Sequence, residues 1–107
     1  MTDRELLEAA AKAAGLEIYI EAIGSRLEVT YRNTLKLWNP LTDDGDALRL
    51  AVTLRIVIDF WLIPHLGMAG TVNFGKYHDA IFISEQDIQE STRRAIVEAA
   101  AEIGRKK

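Results

Sequence analysis

Residues 56–63 read IVIDFWLI, a run that is β-branched, aliphatic or aromatic at every position but one. Apolar side chains on both alternating faces are what a strand carries when both faces of its sheet are covered. The run therefore predicts an interior strand, stopped by Pro64, which cannot donate to a ladder. Trp61 is expected in the core. Asp59 is the exception, because an ionised carboxylate inside a covered strand costs several kcal/mol unless it is paired. Either Arg55 or Arg49 pairs with it, or the strand has one face at a rim or at a subunit contact.

Downstream, HLGMAG (65–70) reads as a glycine-punctuated connection. TVNFG and HDAIFIS then read as two more strands that turn around Gly75, Lys76 and Tyr77. Ser84 with Asp87 has the spacing of a helix cap. From there Ile88, Thr92, Ala95, Ile96, Ala99 and Ile103 trace a helical stripe, which Gly104 and the basic tail should end.

Upstream, DALRLAVTL (46–54) predicts a helix whose only polar line is Asp46, Arg49 and Thr53, so most of its circumference should be covered. LEIYIEAIGSRLEVTYRN (16–33) alternates apolar and polar residues on either side of Gly24-Ser25, a pair suited to a two-residue hairpin turn. That turn would set Ile18 against Tyr31, Ile20 against Val29 and Glu21 against Glu28, with one face wet. At the start, Thr2 and Glu5 have capping-box spacing, and Leu6, Ala9, Ala10 and Ala13 form a helical stripe up to Gly15.

The order is helix, strand, strand, helix, strand, strand, strand, helix. This predicts an α+β fold, three helices on a mostly antiparallel sheet of about five strands. With 107 residues and 49% hydrophobic content, the chain suffices for a single domain, 1–107, around one core. The net charge is only -3 and the charges are interspersed, which argues against nucleic acid or an anionic membrane as partner. Arg105, Lys106 and Lys107 cluster where a helix end favours cations. With no cysteine, disulfides and thiolate chemistry are excluded. MTDRELLEAA is too charged for a secretory signal, and no apolar run reaches the roughly 20 residues of a membrane span, so a cytoplasmic protein is expected.

The stretch most like a site is WNPLTDDGDALRLA (38–51), where Asp43, Asp44 and Asp46 surround Gly45. A calcium loop would need a closing glutamate about six residues past that glycine, and none is there. The acids instead stand where the first turn of a helix presents unpaired N–H groups and a positive dipole end, so Thr42 or Asp43 should cap the helix with Asp46 in its first turn. The rival reading makes Asp43, Asp44 and Asp46 ligands of a divalent metal. No cofactor is otherwise expected. Trp38, Asn39 and Pro40 lead into this helix; Trp38 either packs against it or, with Asn39 and Pro40, forms an exposed anchor for a protein partner. His65 and His78 read as surface residues, and catalysis by a His78–Asp59 pair has no spacing to support it. GTVNFGK (70–76) matches the start of a phosphate loop, but Tyr77 stands where the magnesium-binding hydroxyl belongs.

WNPLTDDGDALRLAVTL (38–54) together with STRRAIVEAAAEIGR (91–105) resembles the phage ABA-sandwich domain proteins, a group similar to NinX-like phage proteins. The resemblance implies a three-layer α/β/α sandwich from a phage or prophage, with no established enzyme activity and no catalytic residues to carry over. Two functions are therefore expected to compete. One is a non-enzymatic accessory module that binds a host or phage protein, or itself, through a strand edge or the Trp38 loop. The other is a small metal-dependent enzyme or ligand-binding protein built on the aspartates.

Overall fold

A computed structural model describes the backbone of residues 2–21, 27–31, 34–64, 67–74, 77–83 and 88–106, and the side chains of 2–17, 37–64, 68–74 and 88–106. Its elements are α1 (Asp3–Ala13), β1 (Glu17–Glu21), β2 (Leu27–Tyr31), β3 (Thr34–Trp38), α2 (Asp44–Leu54), β4 (Val57–Ile63), β5 (Gly67–Phe74), β6 (Tyr77–Ile83) and α3 (Ile88–Arg105). Three helices and antiparallel strands make the α+β class as read from the sequence. The sheet is different. Among the described residues, six strands form two three-stranded sheets, ordered β1-β2-β3 and β4-β5-β6, in place of one sheet of about five.

The three-layer sandwich is corrected as well. In β4 and β5 the side chains of Ile58, Val72 and Phe74 share one face and pack against the helical core. On the opposite face Val57, Asp59 and Trp61 are exposed. Helix α3 lies over β5 and β6, with α1 and α2 packed on α3, so among the described residues helices cover one side of the second sheet.

Each helix is started and stopped by local chemistry. Thr2 caps α1: its hydroxyl accepts from the Glu5 N–H at 3.1 Å and the Glu5 carboxylate accepts from the Thr2 N–H at 3.2 Å, the reciprocal capping box. That pairing holds the Glu5 carboxyl below the usual carboxylate range, chiefly through the backbone hydrogen bond from Thr2. Gly15, at φ 74, then turns the chain in the left-handed region that glycine enters without steric cost. Helix α2 ends on Arg55, also left-handed, whose N–H and that of Ile56 return to the Val52 and Ala51 carbonyls. This closure delivers the chain directly into β4 beside the helix it has just left.

Alanine sets the helix spacing. Ala10 and Ala11 of α1 and Ala99, Ala100 and Ala101 of α3 are buried in one cluster with Leu6, Leu7 and Val97. A Cβ on Gly104 would collide with the Ala9 carbonyl, so Gly104 is a close-packing residue inside α3 and not the stop read from the sequence. Asp3 meets Arg94 and Ala9 meets Gly104, hence the two helices run in the same sense.

Other expectations shift in detail. The hairpin pairs Glu17 with Thr30 and Ile18 with Val29, then Ile20 with Glu28 and Glu21 with Leu27, across an irregularity at Tyr19. The extra residue that a bulge places on one strand displaces the register expected from a Gly24-Ser25 turn; that turn lies outside the described residues, as do the Gly75-Lys76 turn, the Ser84–Asp87 cap and His65. TLKLW, unassigned in the sequence reading, is strand β3, and MAG belongs to β5 instead of to a connection. Helix α2 is not covered on most sides: Asp46, Ala47, Leu50 and Ala51 are buried, whereas Leu48, Arg49, Val52 and Thr53 face out.

Candidate functional site: a structural aspartate junction and an apolar edge strand

The aspartates serve the helix. Asp43 is the N-cap of α2, its Oδ2 accepting from the Asp46 N–H at 2.8 Å while its own N–H donates to the Asn39 carbonyl at 2.9 Å. Asp46, only 5% exposed, turns the other way: its Oδ2 accepts from the Asn39 N–H at 2.9 Å and its Oδ1 from Arg49 Nη2 at 2.7 Å. Asp44 reaches across to α3, where its Oδ1 accepts from Arg93 Nη1 at 2.6 Å, and Arg93 Nε donates to the Leu41 carbonyl at 2.9 Å.

The three carboxylates are thus engaged by four donors, the Asp46 and Asn39 N–H groups, Arg49 and Arg93, with Arg49 shared between Asp43 and Asp46. Two guanidinium groups stand beside them, which raises the electrostatic cost of a further cation there. Among the described residues, no group of three or more acidic or histidine side chains is arranged to hold a metal ion.

Trp38, Asn39 and Pro40 complete this junction from inside. Trp38 is 4% exposed and belongs to the core cluster; Asn39 and Pro40 are buried too. The Asn39 side chain bends back, its Oδ1 accepting from the Leu41 N–H at 3.0 Å, and its carbonyl accepts from the Thr42 N–H at 3.1 Å. The packed reading of Trp38 is the one the structure realises, and the three residues join the first sheet to α2.

The exposed apolar surface lies elsewhere. β4, expected to be interior, is the edge strand of the second sheet, with no strand on its free side among the described residues. Val57, Phe60, Trp61 and Leu62 are exposed, from 46% at Trp61 to 74% at Leu62, and Asp59 is exposed with them. This corrects the placement of Trp61 in the core and removes the need to pair a buried Asp59. Sequence reasoning missed the position because side-chain composition does not distinguish an interior strand from an edge strand that exposes apolar side chains on both faces. A signal was present in Asp59, for which a rim or subunit contact was one of the expected surroundings.

Phe60 is aimed by its partner. It pairs with Gly70, where an added Cβ would stand 3.1 Å from the Phe60 ring and 2.7 Å from the Asp59 carbonyl, so the ring leans over the space that glycine leaves. Beside it runs an open groove of about 320 Å³, lined by Ala47 and Leu48 of α2, Ile58 and Phe60 of β4, and Ile88 and Ile96 of α3, with Asp44 and Arg93 also in its wall. Leu48 and Val52 extend the apolar surface along α2.

Among the described residues no helix is long and apolar enough to cross a membrane. Comparison of the chain with protein-family models, with curated proteins and with solved structures gave no match, so the site is read from its own chemistry.

Proposed function

We propose that this chain is a non-enzymatic protein–protein interaction module that recognises its partner through β4, and that it works, as its sequence resemblance implies, as a phage or prophage accessory protein in the host cytoplasm. One observation carries the reading: a seven-residue strand of interior composition stands at a sheet edge with apolar side chains exposed on both its faces, Val57 and Trp61 on one and Phe60 and Leu62 on the other. Natural edges are usually blunted by charges, proline, bulges or short length. β4 has one charge, Asp59, no internal proline, and a regular pairing with β5 along its whole length. Its free backbone groups offer a ladder to an added strand, while the alternating side chains offer apolar contacts above and below it.

The groove next to Phe60 and the exposed Leu48 and Val52 support the same surface, since contiguous apolar patches on small proteins mark places of association.

The test is capture with tagged wild-type chain and tagged Leu62→Lys chain, each mixed with untagged chain and with lysate taken before and after prophage induction. At least one protein, the untagged chain included, should be retained by the wild type and released by the variant. Identical recovery with both baits would contradict the proposal.

A further inference from the structure

Building on that reading of β4, we infer that its occupant is a second copy of this chain, paired antiparallel along β4 about a two-fold axis normal to the sheet. The β4-β5-β6 sheets of the two copies then form one continuous sheet of six strands.

The register follows from symmetry. A two-fold axis normal to the sheet keeps Ile58, Phe60 and Leu62 of both copies on the helix-covered face, so opposing residues must have the same parity. Centring the pairing on Asp59 would set two carboxylates directly opposite each other, an unfavourable pair. Centring it on Phe60 uses all seven residues and removes that clash: Val57 opposes Ile63, Ile58 opposes Leu62, Asp59 opposes Trp61, and Phe60 meets its own counterpart. An aromatic pair at the axis is a favourable cross-strand contact.

The surface available suits a small interface. On the side of the sheet that carries α2, Leu48, Val52, Phe60 and Leu62 expose between 47% and 74% of their surface. At roughly 200 Å² for a fully exposed large side chain this amounts to roughly 500 Å² per copy, or roughly 1,000 Å² in total, the lower bound for a specific interface. Leu48 sits beside Phe60 across the groove, so the same axis brings the exposed faces of the two α2 helices together above the joined strands. Homodimer interfaces are the more apolar kind, as this surface is. Pairing gives β4 a neighbouring strand on both edges, while Val57 and Trp61 stay on the face of the joined sheet that carries no helix.

Sedimentation equilibrium and oxidative cross-linking of the purified full chain test this. At tens of micromolar the wild type should sediment at twice its 12.0 kDa chain mass, and Leu62→Lys at the single mass with unchanged circular dichroism. The chain has no cysteine, so Phe60→Cys introduces one thiol that faces its own copy. It should cross-link under mild oxidation at least tenfold faster than Thr53→Cys on α2. A poorly folded Leu62→Lys leaves the cross-link as the deciding measurement. Equal cross-linking at the two positions, or a wild type monomeric to millimolar concentration, overturns the inference. A monomeric wild type that still holds another protein through β4 overturns the second-copy partner and leaves the interaction reading standing; a monomer that holds nothing overturns both.

Discussion

The junction from Trp38 to Asp46 and the strand from Val57 to Ile63 invert each other. The first is polar, rich in acids, and buried or engaged at nearly every hydrogen-bonding group. The second is apolar and exposes side chains on both faces. Acidic residues that resemble a ligand set are used up by backbone donors and two arginines, whereas a strand that resembles core is left without cover. Internal satisfaction, more than residue type, separates the structural region from the interactive one.

Substitutions should therefore separate the two regions by stability and by association. The largest effect is expected from Trp38→Ala, which empties a buried aromatic position and should cost about 3–5 kcal/mol in denaturant unfolding. A cost below 1 kcal/mol would mean that Trp38 is not core. Asp46→Ala removes the acceptor of the buried Asn39 N–H and should cost about 2–3 kcal/mol; Asp46→Asn, which keeps an oxygen, should lose clearly less. Equal losses would show that the acceptor is unimportant. Leu62→Lys lies on the other side of the comparison: stability within about 0.5 kcal/mol of wild type, yet association abolished. If it unfolded the chain, β4 would belong with the core after all.

Two smaller effects sharpen the contrast. Because Glu5 has its carboxyl depressed by the capping box, its contribution is present above the ordinary glutamate range and fades as the pH falls through the lowered value. Acid titration of wild type against Glu5→Gln should show the wild-type advantage at neutral pH shrinking on acidification; an advantage that grew in acid would reverse the assigned sign. Adding magnesium, manganese, calcium or zinc should leave the melting temperature unchanged, because Asp43, Asp44 and Asp46 are already engaged by backbone N–H groups and by Arg49 and Arg93. A saturable rise in melting temperature with any of these ions would reopen the metal reading of the junction.

Much of this fold is written in local signals. The Thr2–Glu5 box, the Asp43 cap and the three helices follow from residues within a turn of each other, and such spacing is visible in a sequence. What required the structure is non-local. Whether IVIDFWLI is interior or edge depends on how many strands pair beyond it. Likewise, the buried side of α2 depends on where α3 crosses, which turned Asp46 inward and Leu48 and Val52 outward. Gly104 reads as a helix stop by its chemistry alone and becomes a contact point only when Ala9 approaches it. The aspartate cluster could be assigned from sequence because its partners lie within seven residues, Arg93 excepted. The β4 surface could not, because an uncovered face is a property of the whole arrangement.

Amide hydrogen exchange along Val57–Ile63, followed over a dilution series, addresses the central claim most directly. Amides of β4 that face away from β5 should exchange slowly in concentrated solution and become fast on dilution, and should be fast at every concentration in Leu62→Lys. Rates that stay the same from micromolar to millimolar, whether fast or slow, would contradict a β4 edge completed by its own copy.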